Sequence, residues 1–123
     1  MQKIVLFSSP GFADCELFDQ TIEKHLSELD GGPVTFLIPD RGMNPELFRL
    51  AIRLYNRSGV SIKAYSAHEN FKKAQKQILC DTLVREGNTC IVFQSTPKRV
   101  GIKQMIETCI LYNKPYKIYK KMV

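Results

Sequence analysis

Lys98, Arg99 and Lys103 cluster around Gly101 in the stretch "QSTPKRVGIK". Cations and a glycine where a strand gives way to a helix suit the binding of an anion. A helix N-terminus directs unpaired N–H groups and the positive end of its dipole outward, and glycine lets a ligand approach the backbone closely. The competing reading is a solvated basic loop. Arg41 and Gly42 in "IPDRGMN" form a second candidate. A guanidinium can grip phosphate through two parallel hydrogen bonds, or it can pair with Asp40 or a helix carboxylate. Ser8, Ser9 and Gly11 in "SSPGF" offer hydroxyls and amides, although serines before a glycine also build turns.

Acid–base and metal chemistry have thinner support. Asp14 reads as a helix cap before it reads as a base. His68 and Glu69 sit together after a strand and have the residue types for proton transfer, but a lone pair of this kind in a loop is ordinarily solvated. Glu107 is spaced to meet Lys103 one helical turn away. Cys15, Cys80, Cys90 and Cys109 form no pair at metal-ligand spacing. Cys90 and Cys109 fall in apolar runs, where a thiol packs as a small hydrophobe. The residues therefore designate no catalytic group, no metal site and no cofactor.

The formal net charge of +6 is unevenly placed. Residues 1–93 carry 11 Lys/Arg and 11 Asp/Glu, so they sum to zero. Residues 94–123 carry Lys98, Arg99, Lys103, Lys114, Lys117, Lys120 and Lys121 against Glu107 alone. The excess points to a phosphate-rich ligand or partner, with solvated lysines as the plain alternative. In "NKPYKIYKK" the lysines interleave with Tyr116 and Tyr119. That pattern suits single-stranded nucleic acid, and equally suits an edge strand guarded by lysines.

These residues need elements to position them. "KIVLF" (3–7), "VTFLI" (34–38), "SIKAY" (61–65), "TCIVF" (89–93) and "YKIY" (116–119) read as strands. Between them lie four helical patterns. The first, with Leu17, Phe18, Ile22, His25, Leu26 and Leu29 at helical spacing, is capped by Asp14. The second starts at Asn44–Pro45, is stopped by Gly59, and sets Arg49, Arg53 and Arg57 along one exposed ridge. The third covers roughly 71–85 and the fourth follows Gly101. Strict alternation of strands and helices in 123 residues predicts one α/β domain. It is a Rossmann-like three-layer sandwich, a five-stranded parallel sheet with helices on both faces. Ligands of such folds gather at the carboxyl ends of the strands, where loops 8–14, 39–44, 66–70 and 94–101 converge.

The order and spacing of these loops resemble the SLOG superfamily, specifically its small YspA-like single-domain branch. That superfamily is related to DNA-processing protein A and to the lysine-decarboxylase-like phosphoribohydrolases. The family's first loop, Gly-Ser-Arg-x-Phe-x-Asp, matches Ser9, Phe12 and Asp14, with Ser8 for the glycine and Pro10 for the arginine. Its second loop, a Gly-Gly-Ala-Arg-Gly-Ala-Asp type, is kept at Arg41 and Gly42 and has Asn44 for the aspartate. Only Ala67 matches in the third. In the last, Phe93, Gly101, Lys103, Met105 and Ile106 are retained, while Arg99 and Ile102 replace a serine and a threonine. The phosphoribohydrolases' PGGxGTxxE motif is absent.

The resemblance implies a nucleotide or nucleotide-derived phosphate ligand, and the lack of a convincing nucleophile or acid–base pair favours binding without turnover. Hydrolysis of a nucleotide N-glycosidic bond is the enzymatic alternative, and a single-stranded nucleic-acid-binding module the third. Relatives in that superfamily commonly pair, so a homodimer is compatible with the resemblance, although the apolar stripes are fully explained by one core. The apolar runs are too short to span a membrane and the N-terminus lacks a signal-peptide layout, so a cytoplasmic location is expected.

Overall fold

The computed structural model describes residues 2–9, 12–29, 32–41, 44–66, 75–94 and 100–120, with the side chains of 75–77, 100 and 101 excepted. The elements alternate as β1 (Gln2–Ser8), α1 (Cys15–Glu28), β2 (Val34–Pro39), α2 (Pro45–Ile52), β3 (Val60–Tyr65), α3 (Gln75–Glu86), β4 (Thr89–Gln94), α4 (Val100–Leu111) and β5 (Tyr116–Lys120). The strands form one sheet in the order β3-β2-β1-β4-β5, and every pairing is parallel. This is the expected Rossmann-like three-layer sandwich.

The strand period of two explains why the central strands read as unbroken apolar runs. Alternate residues of one strand enter different cores. Ile4, Leu6, Phe36, Ile38, Ile91 and Phe93 face α1 and α2, where they meet Phe18, Ile22, Leu47 and Leu50. Val5, Leu37, Cys90 and Val92 face α3 and α4, where they meet Leu79, Leu83, Ile102 and Met105. Reversing the direction of strand addition after β3 sends α3 and α4 to the other face, because each parallel crossover keeps its right-handed sense. Gly87 approaches the sheet closely on that side. A Cβ there would lie 2.5 Å from Cγ2 of buried Val5.

Local signals set the boundaries. The Asp14 carboxylate accepts from the Leu17 N–H at 3.0 Å and opens α1. The Asn44 side chain accepts from the Leu47 N–H at 3.2 Å and opens α2, with Pro45 at its first position. The second helix differs from expectation. Its α-helical part ends at Ile52, and a 3₁₀ turn continues over Arg53–Asn56. Arg57 is already extended, and Gly59 turns the chain at φ +80°. Arg49, Arg53 and Arg57 thus do not share one α-helical ridge. Arg53 pairs with Asp19 at 2.8 Å and Arg57 grips Glu23 with both guanidinium nitrogens. The same four-residue step on α1 makes the two-rung ladder.

β5 is an edge strand, as its alternating pattern suggested. Its residues divide between the two cores: Tyr119 packs with the α1 side and Tyr116 with the α4 side. The tyrosines therefore offer no common stacking face. Lys114, in the turn before β5, donates to the Gly87 carbonyl at 2.9 Å.

Tyr119 also meets His25 of α1, hydroxyl to Nε2 at 3.1 Å, with the rings edge to face. Burial lowers the His25 pKa from its ordinary 6.5, and nearby Lys117 and Lys24 act the same way against Glu28. The unfolded chain then binds the proton more readily than the native one. Stability is fully present above pH 6.5 and declines as pH falls from there through the lower native value. A melting temperature that drops between pH 7.5 and 5.5, with a flatter profile in His25→Gln, is the expected result; parallel profiles would exclude the histidine as the source.

Candidate functional site at the carboxyl edge of the sheet

The order of strands reverses between β1 and β4. The chain leaves β1 toward α1 on one face and leaves β4 toward α4 on the other, so a crevice opens between the two exits. The core beneath the β1 exit is aromatic. Phe93 is fully buried and stacks on Phe12 with ring centroids 5.1 Å apart; it also touches Phe18 at 5.2 Å. The parallel ladder runs one residue past β1 through Ser9 N–H to the Phe93 carbonyl at 3.0 Å. A turn then closes from the Phe12 N–H to the Ser9 carbonyl at 3.2 Å.

Ser8 and Ser9 lie at the exit of β1 and are buried, at 1% and 0% exposure. The Ser8 hydroxyl donates to the Ser9 carbonyl at 3.1 Å and accepts from the Asn44 amide at 3.0 Å. The same amide donates to the Ser8 carbonyl at 3.3 Å. Asn44 thus caps α2 with its oxygen and locks the exit of β1 with its nitrogen. Sequence reading found only the cap. The second role depends on a contact across 36 positions, for which the chain carries no local signal.

The other candidates divide into three groups. Arg41 is exposed in the turn after β2, which Asn44 N–H closes on the Asp40 carbonyl at 3.1 Å. No ion pair holds Arg41 among the described residues. Lys103 is exposed in the first turn of α4, and Gly101 belongs to that same turn. Gly11, Gly42, Lys98 and Arg99 lie outside the described residues, as do His68 and Glu69. Arg41 and Lys103 follow β2 and β4, with β1 between them. Two strand spacings, about 10 Å, therefore separate their elements.

Electrostatics distinguish the helix entrances. α1 receives the Asp14 carboxylate at its first-turn amides, which supplies the negative charge that an anion would otherwise bring. α2 is closed by the neutral Asn44 oxygen. The entrance of α4 carries Lys103 and no acidic residue in its first turn. The first turn of α1 is thus already matched by a carboxylate, whereas the described first turn of α4 holds no acid. Among the described residues no three His, Cys, Asp or Glu side chains converge as a metal-ligand set. No helix among them is long and apolar enough to cross a membrane.

A shallow cleft of about 240 Å³ lies at the opposite edge, between Val34 and Val60 at the amino ends of β2 and β3 and Leu26 and Ser27 of α1. Its Arg57 is already matched by Glu23, so its two charges neutralise each other. No protein-family model matches the chain, and no curated protein matches it either.

Proposed function

We propose that the protein binds a nucleotide or a nucleotide-derived phosphate ligand across the β1/β4 crevice, without turning it over. The observation that carries this reading is the reversal of strand order between β1 and β4, with a cation-bearing helix entrance at the exit of β4. The phosphate lies at the start of α4, against Lys103 and the backbone about Gly101, with Lys98 and Arg99 from the preceding segment. Arg41 approaches from the neighbouring loop. The separation of about two strand spacings between the exits of β2 and β4 favours an extended ligand over a lone phosphate ion. Ser8 acts from behind, holding the β1 exit against Asn44, and the Ser9 backbone ties that exit to Phe93. The resemblance of the loops to the SLOG superfamily supports the same edge.

Calorimetry with nucleoside mono-, di- and triphosphates tests the reading. Binding of at least one is expected, with affinity reduced about tenfold or more in Arg99→Ala and in Lys103→Ala, the scale of one charge-assisted hydrogen bond. Unchanged affinity removes the substituted residue from the site, and no heat with any nucleotide or free phosphate removes the site. Chromatography of the same mixtures separates binding from turnover. Free base accumulating would replace the binding reading with N-glycosidic hydrolysis.

A further inference from the structure

We infer that Cys90 and Cys109 are an oxidisable pair that forms an intramolecular disulfide between β4 and α4. The two Sγ atoms lie 3.3 Å apart, in contact with one another. Bond formation needs them to close by a little over 1 Å, to about 2.05 Å. Both side chains are buried, at 1% and 0% exposure, and share the core beneath α3 and α4. Cys80 lies in that core too, while Cys15 is exposed at the start of α1. Cys90 and Cys109 are in direct sulfur–sulfur contact, and that placement favours their pairing. This inference does not depend on the ligand proposed above.

The contact also prepares the chemistry. Burial opposes ionisation of either thiol, but the pair shares one hydrogen bond. The first proton leaves from the Cys109 side, where the remaining Cys90 S–H stabilises the thiolate. The second is held far above the usual thiol range. With a peroxide as oxidant, the Cys109 thiolate attacks one oxygen, the O–O bond breaks, and the departing hydroxide takes a proton to become water. The sulfenic acid so formed is attacked by the Cys90 sulfur; the S–S bond forms, the S–O bond breaks, and a second water leaves with the Cys90 proton. Two thiols lose two electrons and two protons, and the peroxide is reduced to two waters. Because both sulfurs are buried, the reaction waits on local opening of α4 and is slow.

The bond closes a loop from residue 90 to residue 109 that contains the exit of β4 and the first turns of α4. Oxidation thus staples the helix carrying Lys103 to the strand before it.

Trypsin cleavage at Lys and Arg places Cys80, Cys90 and Cys109 on three separate peptides, so the pairing can be read directly. The folded protein, as Cys15→Ser to remove the exposed thiol, is treated with a few equivalents of hydrogen peroxide, quenched with catalase, denatured, alkylated and digested. The expected product is a cross-link joining the Cys90 and Cys109 peptides, with Cys80 fully alkylated and the cross-link lost on reduction with dithiothreitol. Three alkylatable thiols after oxidation, sulfinic acid in place of the cross-link, or pairing through Cys80 would overturn the inference. Oxidation in denaturant is expected to scatter the pairing among the three thiols. If the unfolded chain gives the same single product, the native contact is not what selects it.

Discussion

Phe93→Ala is expected to lower the unfolding free energy by about 3–5 kcal/mol, the range for deleting a fully buried aromatic ring. Phe93 is 0% exposed and meets three rings at once: Phe12 at 5.1 Å, Phe18 at 5.2 Å and Tyr119 at 6.2 Å. These come from the loop after β1, from α1 and from edge strand β5. No single neighbour can therefore move in to fill the space, and the cavity stays open. The chain has no tryptophan, so urea unfolding is best followed by far-UV circular dichroism. Phe93→Leu, which restores most of the volume but no ring contacts, is expected to lose less. A loss under about 1 kcal/mol for Phe93→Ala would mean that the loop closes without the aromatic core beneath it.

Asn44→Ala is expected to cost about 2–4 kcal/mol, more than a helix cap alone explains. Capping accounts for about 1 kcal/mol. The remainder comes from Ser8, whose buried carbonyl and hydroxyl both lose the Asn44 amide. Asn44→Ser separates the two shares, because its hydroxyl can still cap α2 but is too short to replace the amide at Ser8. The serine variant should therefore regain about 1 kcal/mol and no more. Full recovery in Asn44→Ser would show that the link between loops contributes nothing. Hydrogen exchange at Ser9 and Phe12 gives an independent reading, with faster exchange expected in both variants.

The fold was legible because its signals are local. Each strand is a short β-rich run, each helix a 3.6-residue pattern, and strict alternation leaves few topologies. Asp14 and Asn44 announced their helices through residue type and position alone. The end of α2 was not legible in this way. Arg49, Arg53 and Arg57 keep α-helical spacing past Ile52, but the backbone tightens, and Arg53 and Arg57 are drawn to Asp19 and Glu23. The matching step of four between those two acids was the available clue. At the site, sequence located the loops but not the direction of their side chains. Ser8 had the type and place of a ligand-facing hydroxyl, yet a partner 36 positions away turns it to a structural use. Long-range polar contacts of this kind have no periodicity to read. Tyr116 and Tyr119 pack into different cores, because three positions apart on a strand puts side chains on opposite faces.

The central position of β1 has a consequence for biosynthesis. β1 is synthesised before β2–β5 yet completes its pairing only with β4, and the Lys3 N–H meets the Asn88 side chain across 85 positions. Until that partner emerges, a nascent chain can assemble β1, β2 and β3 but keeps one flank of the central strand open. Arrest or cleavage between β3 and β4 should therefore yield fragments prone to clump rather than a smaller stable module. Chaperone demand during synthesis should end abruptly once residues 89–94 are out.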